Sequence, residues 1–293
     1  MTESSDSIGA VALALCSAAV YGSADFFGGL ATRRTSALAV VFVSQIAGLA
    51  TMAVAVALLP RSNPSAGDFI WGAWAGAFGT LGIVLLYEAL ATGRMSTVAP
   101  VTGVCAISLP IFAGLALGER PLLRAEVGLV FALAAIVLVA QEVDRPSKDL
   151  GRMLAGLRFD KPVALALFAG VAIGFFFICL KQTHREAGQW PLLGARAVSV
   201  SSLGIIGLIG RRPLAVPAAQ LPLILGVGVA DMAANVLYAV AAQRGLLSLV
   251  ATITSLYPAA TIVWARIVLG ERIRPLQAVG LGFAALAIFL IAS

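Results

Sequence analysis

Ionisable side chains inside long apolar segments are the residues of this sequence that could do chemistry, and there are few of them. Asp231 lies about ten residues from either end of the apolar run 221–242, hence ~15 Å deep if the run is a helix. A charge at the bilayer centre costs roughly 2.5–3.5 kcal/mol on insertion scales, which makes Asp231 a candidate functional residue. Asn235 and Tyr238 follow at helical spacing, so one face of this helix is expected to be polar. Such a face fits either the wall of a substrate cavity or a structural network between helices.

Asp25 is the second deep carboxylate, in the apolar run 8–30 with Tyr21 one helical turn away. Its short side chain does not easily reach the membrane surface, so Asp25 needs a cavity, a partner or a proton. The alternative is a neutral carboxylic acid that is hydrogen-bonded inside the helix bundle. We place Asp25 and Tyr21 among the candidate binding or coupling residues.

Arg196 lies about six residues into the run 191–209, where a long side chain can also extend to the membrane surface. If Arg196 points inward, its natural counter-ion is Asp231 on the next run. The carboxylate of a substrate is the other option, because a guanidinium binds carboxylates through two parallel hydrogen bonds. Gln45, in the run 36–59, occupies about the matching place in the first half of the chain.

Other chemistry has little support in the sequence. The three cysteines lie far apart in apolar runs and His184 is the single histidine, which argues against a disulfide framework or a His/Cys metal site. No HExxH or GxxxxGK[ST] motif is present, so we expect no cofactor. Asp25 and Asp231 could share a proton, as in an intramembrane aspartyl hydrolase. Their surroundings, Ser23-Ala24-Asp25 and Gly228-Val229-Ala230-Asp231, lack the Tyr-Asp and Gly-x-Gly-Asp that resemblance to such enzymes would require.

The composition is that of a membrane protein. Of 293 residues, 60% are hydrophobic and 12% are charged, with a mean hydropathy of +0.99, whereas soluble domains carry about 25% charged residues. The net charge of +6 comes from arginines in short gaps between apolar runs and forms no basic stripe, so we expect no nucleic-acid partner. The segment before the first run contains Glu3 and Asp6 and no basic residue, unlike a signal peptide, so the first run is expected to be retained.

Apolar runs long enough to cross a bilayer as helices number ten. They are 8–30, 36–59, 69–91, 96–117, 124–141, 162–180, 191–209, 221–242, 246–269 and 276–292. The longest polar gap divides the chain into a first unit at 1–141, a connecting loop at 142–161 and a second unit at 162–293. The sequence therefore predicts an all-α integral membrane protein of two five-helix units.

The two units look like a duplication. A shift of 152 residues superimposes the motif Leu117-Gly118-Glu119-Arg120 on Leu269-Gly270-Glu271-Arg272 and aligns several positions on either side of it. Because five is odd, the second copy must cross the bilayer in the opposite sense, which gives an inverted repeat. Both glutamates lie near span ends, so we interpret them as hydrogen-bonded corners that join the fourth span to the fifth and the ninth to the tenth.

The stripe in the third span that matches Asp231, Asn235 and Tyr238 is expected to be Thr80, Val84 and Tyr87. This stripe carries no charge, so the repeat is asymmetric at the level of the candidate site. Tyr87 joins the candidate binding residues on this basis.

The two LGER copies, the Tyr21-Gly22-Ser23 motif and the alanine-rich third and eighth spans that end at Gly93 and Gly245 resemble EamA-type drug/metabolite transporters. The resemblance covers nearly the whole chain. It implies a ten-helix bundle with a central substrate cavity, in the plasma or inner membrane, as a monomer or homodimer. The cargo in that family ranges over amino acids, metabolites and drugs.

We therefore expect a transporter that moves a small molecule by alternating access, with efflux and proton coupling as the working hypothesis. Asp231 is the first choice for the coupling residue, because its polar stripe gives it a route to water, and Asp25 is the second. A non-transporting scaffold or receptor remains the main alternative.

Two arguments about membrane orientation disagree. Lys and Arg are more numerous in the gaps on the side away from the N-terminus, which predicts both termini outside the cell. The family resemblance implies that both termini are cytoplasmic.

Overall fold

The chain is almost entirely helical in a computed structural model, which describes residues 2–58, 62–116, 160–244 and 256–292 and a few isolated positions between them. Within these residues it forms nine α-helices and no β-strand. They are α1 (Thr2–Thr32), α2 (Ala37–Leu58), α3 (Ala66–Thr92), α4 (Met95–Ala116), α5 (Lys161–Lys181), α6 (Trp190–Ile209), α7 (Leu221–Arg244), α8 (Tyr257–Leu269) and α9 (Pro275–Ala292).

Six of these helices, α1, α2, α3, α5, α6 and α7, are long and apolar enough to cross a membrane, and α4, α8 and α9 contain shorter apolar stretches. Helices suit this environment because each satisfies its own backbone hydrogen bonds where no water is available. The chain is a multi-pass membrane protein. The predicted fifth span, 124–141, lies mostly outside the described residues, so a tenth helix stays a prediction.

The predicted ninth span, 246–269, is interrupted in the structure. Leu256 lies in a turn, where its amide donates to the carbonyl of Ile253, and α8 begins only at Tyr257. Pro258 explains the break, since proline lacks an amide hydrogen and is favoured in the first turn of a helix. The hydropathy pattern does not reveal this interruption because the run 246–269 is predominantly apolar over its whole length.

Glu271 corrects one sequence-based interpretation. Its carboxylate accepts hydrogen bonds from the amides of Met95 and Ser96, both at 3.0 Å, and from the Ser96 hydroxyl at 2.7 Å. It therefore caps the start of α4 in the other half of the chain and does not join the ninth span to the tenth. The free amides and positive dipole end of a helix explain why a carboxylate binds there. The equivalent motif, Gly118-Glu119-Arg120, lies outside the described residues.

The turn that contains Glu271 has the geometry of a helix end. Gly270 ends α8 with a φ of +65°, a left-handed conformation that glycine adopts without strain. The next residue, Arg272, accepts a hydrogen bond at its carbonyl from the Arg94 guanidinium. Two contacts thus hold this corner against the start of α4.

Contacts between the two halves occur in equivalent pairs. Gly76 on α3 lies so close to α6 that an added Cβ would overlap the Ala195 carbonyl, and Gly228 on α7 lies in the same way against the Ser44 carbonyl on α2. Gly76 and Gly228 are 152 residues apart, and Ser44 and Ala195 are 151 apart. Each half thus offers the same surface to the other, as an approximate two-fold relation requires. Other helix contacts follow the same relation. α1 packs on α7 as α5 packs on α3, and α1 packs on α8 as α5 packs on α4.

The starts of α3 and α7 form a second equivalent pair. Asp68 accepts hydrogen bonds from the His184 amide at 2.8 Å and from its ring Nδ1 at 3.1 Å, in the turn after α5. Gln220, which is 152 residues after Asp68, accepts one from Thr35 at 2.9 Å, in the turn after α1. The two contacts lie at opposite ends of α2 and connect the halves at both faces of the bundle.

Candidate functional site

Polar side chains from six helices meet where the two halves of the chain join. We call this group the polar cluster: Tyr21, Asp25, Gln45, Tyr87, Arg196, Asp231, Asn235, Tyr238 and Tyr257. Helices α1, α2, α3, α6, α7 and α8 supply its members. All the predicted candidate binding residues lie in this group, together with Tyr257.

An ion pair lies at the centre of the polar cluster. The Arg196 guanidinium contacts the Asp231 carboxylate with an Nη2 to Oδ2 distance of 2.7 Å, and its other terminal nitrogen donates to the Gln45 side-chain carbonyl. The side chains of Arg196 and Asp231 are only 15% and 27% exposed. Arg196 therefore points inward, and the sequence-based option of extension to the membrane surface is wrong.

Gln45 and Arg196 are themselves equivalent positions of the two halves. They directly follow Ser44 and Ala195, which exchange contacts across the approximate two-fold axis. A hydrogen bond between equivalent residues must lie on or near that axis. Asp231 lies to one side of the axis, so the charge distribution of the polar cluster is not two-fold symmetric.

Asp25 is the unpaired charge of the polar cluster. It lies close enough to Asp231 for the two carboxylates to interact, and Tyr87 and Tyr257 are in its neighbourhood. Across the described ranges of the chain, Asp25 has no hydrogen-bond or ion-pair partner. A carboxylate at this depth is costly without a partner, a proton or water.

All four tyrosines of the chain lie in the polar cluster. The rings of Tyr21 and Tyr257 are 6.3 Å apart between centroids. The ring of Tyr87 lies against Gly28, one turn beyond Asp25, where an added Cβ would overlap it. Tyr257 was not among the sequence candidates because it occurs at the interruption before α8, which hydropathy does not show. The available signal was that all four tyrosines lie within apolar runs.

The remaining polar stripe of α7 is engaged within the protein. Asn235 donates its side-chain amide to the carbonyl of Asp231 at 2.9 Å, one turn earlier on the same helix. Tyr238 packs on a small apolar cluster that contains Ala10 and Ala241, in the neighbourhood of Tyr21. Of the stripe, Asp231 alone makes a side-chain hydrogen bond to another helix within the described residues.

The predicted equivalence of Asp231 and Thr80 is off by one residue. Thr80 donates to Ser199 at 2.7 Å, and the matching contact in the other half joins Met232 to Gly48. The equivalent of Asp231 is therefore Gly79, and the same 152-residue shift makes Phe177 the equivalent of Asp25. Both deep carboxylates are replaced by residues without polar side chains, which makes the two halves more asymmetric than expected.

A metal site has no support in the described part of the chain. There, no group of three or more His, Cys, Asp and Glu side chains is arranged to hold a metal ion. The polar cluster itself offers two carboxylates, one guanidinium and four phenols. These groups can bind a polar organic molecule or exchange a proton.

Comparison with known proteins identifies the repeat as well as the fold. The model of the EamA-like transporter family matches the chain twice, at residues 8–141 and 160–293, and the second match is displaced by 152 residues at both ends. No curated protein sequence matches the chain. Among solved structures, one crystal structure of a protein resembles it with a TM-score of 0.65 at 12% identity, over 96% of this chain and 94% of that one. At that identity the likeness concerns the fold alone.

Proposed function

Because this chain belongs to the EamA-like transporter family, we propose that it is a proton-coupled secondary transporter that exports a small metabolite by alternating access. We place it in the plasma or inner membrane. The observation that carries the proposal is the polar cluster, in which charged groups from both halves meet around one unpaired carboxylate. A site at the junction of two halves becomes accessible from either side when the halves rock against each other.

Asp25 is the better candidate for the coupling residue, although the sequence favoured Asp231. The Asp231 carboxylate is held by Arg196 at 2.7 Å, so protonating it would forfeit an ion pair in a poorly solvated region. Asp25 has no such bond within the described parts of the chain, and it can take up or release a proton without breaking a contact. The same pairing of Asp231 favours a transporter over a hydrolase with two carboxylates that share a proton.

Flux into proteoliposomes tests this proposal. Purified protein is reconstituted, and uptake of a panel of radiolabelled amino acids, amines and nucleosides is measured with and without an imposed pH gradient. We expect at least one compound to accumulate with the gradient and a protonophore to abolish its accumulation. Asp25→Asn should lose gradient-driven accumulation, because the amide mimics a permanently protonated acid.

Glu88→Gln is the matched control, since it neutralises another carboxyl group on a membrane-spanning helix outside the polar cluster and should transport normally. Wild-type flux that ignores both the gradient and the protonophore would make the protein a facilitator. Binding without any flux would favour the receptor alternative. Metabolite levels in the medium of cells that overproduce the protein test the direction of transport.

A further inference from the structure

The charge balance of the polar cluster indicates the kind of molecule that it binds. Arg196 is already paired with Asp231 and hydrogen-bonded to Gln45, so an anionic ligand would compete with an existing ion pair. Asp25 presents a carboxylate that is unpaired throughout the described part of the chain, and the charge of nearby Asp231 adds to its negative field. The most favourable new interaction is with a positive charge.

Aromatic rings surround the same position. On α1, Tyr21 lies one turn before Asp25 and the ring of Tyr87 packs against Gly28 one turn after it. The ring of Tyr257 is 6.3 Å from that of Tyr21. A cation over the face of an aromatic ring is attracted by the ring quadrupole, most strongly where water is excluded. A carboxylate beside several tyrosines thus provides the two groups that recognise an organic ammonium ion.

The site lies on one side of the two-fold axis. Asp25 and Asp231 belong to α1 and α7, whereas their equivalents on α5 and α3 are Phe177 and Gly79. Phe176 fills the space beside Gly79, where an added Cβ would lie 3.0 Å from its ring. The α3–α5 side is therefore apolar and closely packed, and only the α1–α7 side offers a charged subsite.

From these observations we propose that the cargo is a protonated amine with an apolar or aromatic body, whose ammonium group binds Asp25 among Tyr21, Tyr87 and Tyr257. This inference rests on the proposed transport function, because it specifies the substrate class of the same site. The ammonium group donates its hydrogen bonds to the free carboxylate, and the apolar body lies against the tyrosine rings. The ion pair of Arg196 with Asp231 stays intact on binding and limits the entry of carboxylates.

Direct binding to the full-length purified protein in detergent tests the inference without requiring transport. The probes are benzylammonium, benzyl alcohol and benzoate, which share a ring and differ in charge, and calorimetry measures their affinities. We expect benzylammonium to bind at least tenfold more tightly than either of the others. Asp25→Asn should weaken benzylammonium at least tenfold and leave benzyl alcohol unchanged, while Glu88→Gln should leave all three affinities unchanged.

Tyr257→Leu supplies a second variant that retains the carboxylate but removes one ring, and it should weaken benzylammonium severalfold. Thermal melting of each variant shows whether it is folded. Equal affinity for the three probes, tighter binding of benzoate, or undiminished benzylammonium binding to folded Asp25→Asn would each overturn the inference. Because no gradient is involved, benzylammonium binding through Asp25 together with pH-independent flux would refute proton coupling and leave the assignment of the cargo standing.

Discussion

Arg196, Asp231 and Gln45 form one of the contacts by which single side chains connect the two halves of the bundle. An ion pair removed from water is costly to break, because the remaining partner loses both its hydration and its counter-charge. With side-chain exposures of 15% and 27%, this pair is buried enough for that effect to be large. The pair therefore holds α6 to α7 and also fixes the orientation of the Asp231 carboxylate beside Asp25.

The first prediction is that Arg196 and Asp231 are energetically coupled. Arg196→Ala and Asp231→Ala should each destabilise the protein by roughly 3–5 kcal/mol, because each leaves an unpaired buried charge, whereas the double variant should recover part of the loss. Thermal melting of the purified variants measures this coupling. Arg266→Ala, which removes an exposed arginine from α8, should melt like the wild type.

Additive losses in the two single variants would contradict the coupling. If the single variants melt normally but fail to transport, the pair serves binding more than stability. Melting and transport measured on the same protein preparations distinguish a role in stability from a role in binding.

Depth along a helix can be counted from the sequence, but rotation about its axis cannot. This is why Asp25, Asp231 and Arg196 could be identified as deep or semi-deep charges, while the inward direction of Arg196 and the lack of a partner for Asp25 could not. Tyr257 was missed for a related reason, because its place in the polar cluster depends on where α8 begins.

Glu271 shows how one side chain positions a whole helix. Its carboxylate accepts three hydrogen bonds at the start of α4, where the helix would otherwise leave its first amides without partners. The corner after α8 is thereby attached to a helix that lies 175 residues earlier in the sequence. Thr97 adds a contact at the same place, since its hydroxyl accepts from the Gln277 amide at 3.3 Å.

The second prediction concerns this cap. Glu271→Ala should lower the free energy of unfolding by about 0.5–2 kcal/mol, the range for loss of a helix cap. Glu271→Gln should lose less, because its side-chain oxygen can still accept from an amide although it lacks the charge that favours a helix start. Thermal melting in detergent ranks the variants, with Glu186→Ala at an exposed position as the control.

Equal stability of Glu271→Ala and the control would show that the cap does not contribute. The motif predicted that Glu271 would be hydrogen-bonded near a span end. It could not identify Met95 and Ser96 as the partners, because a partner 175 residues away is set by how the two halves pack.

At the scale of the whole molecule, the sequence repeat predicted which helices are equivalent, and the double match of the family model agrees with its 152-residue shift. The structure adds how equivalent helices meet, through Gly76 with Ala195 and Gly228 with Ser44. Thr80 and Asp231 are 151 residues apart, whereas the structure gives a shift of 152 for α3 and α7 and of 151 only for α2 and α6. Small offsets of this kind change which face of a helix carries a residue, since each residue rotates the helix by ~100°.

The last prediction is the orientation of the molecule in the membrane. The turn after α1 and the segment before α7 lie on one face, since Thr35 donates to Gln220, whereas the turn after α5 lies on the opposite face. Lys and Arg are more numerous on the first face, so the positive-inside rule places that face in the cytoplasm and both termini outside.

Cysteine labelling measures this orientation. In a variant with Cys16, Cys105 and Cys179 replaced by alanine, a single cysteine is introduced as Gln182→Cys or Ala219→Cys. Both positions are exposed, and they lie on opposite faces. A membrane-impermeant maleimide should label Gln182→Cys in intact cells and Ala219→Cys only after permeabilisation. The reverse pattern would place both termini in the cytoplasm, and the charge count would then be the wrong guide for this protein.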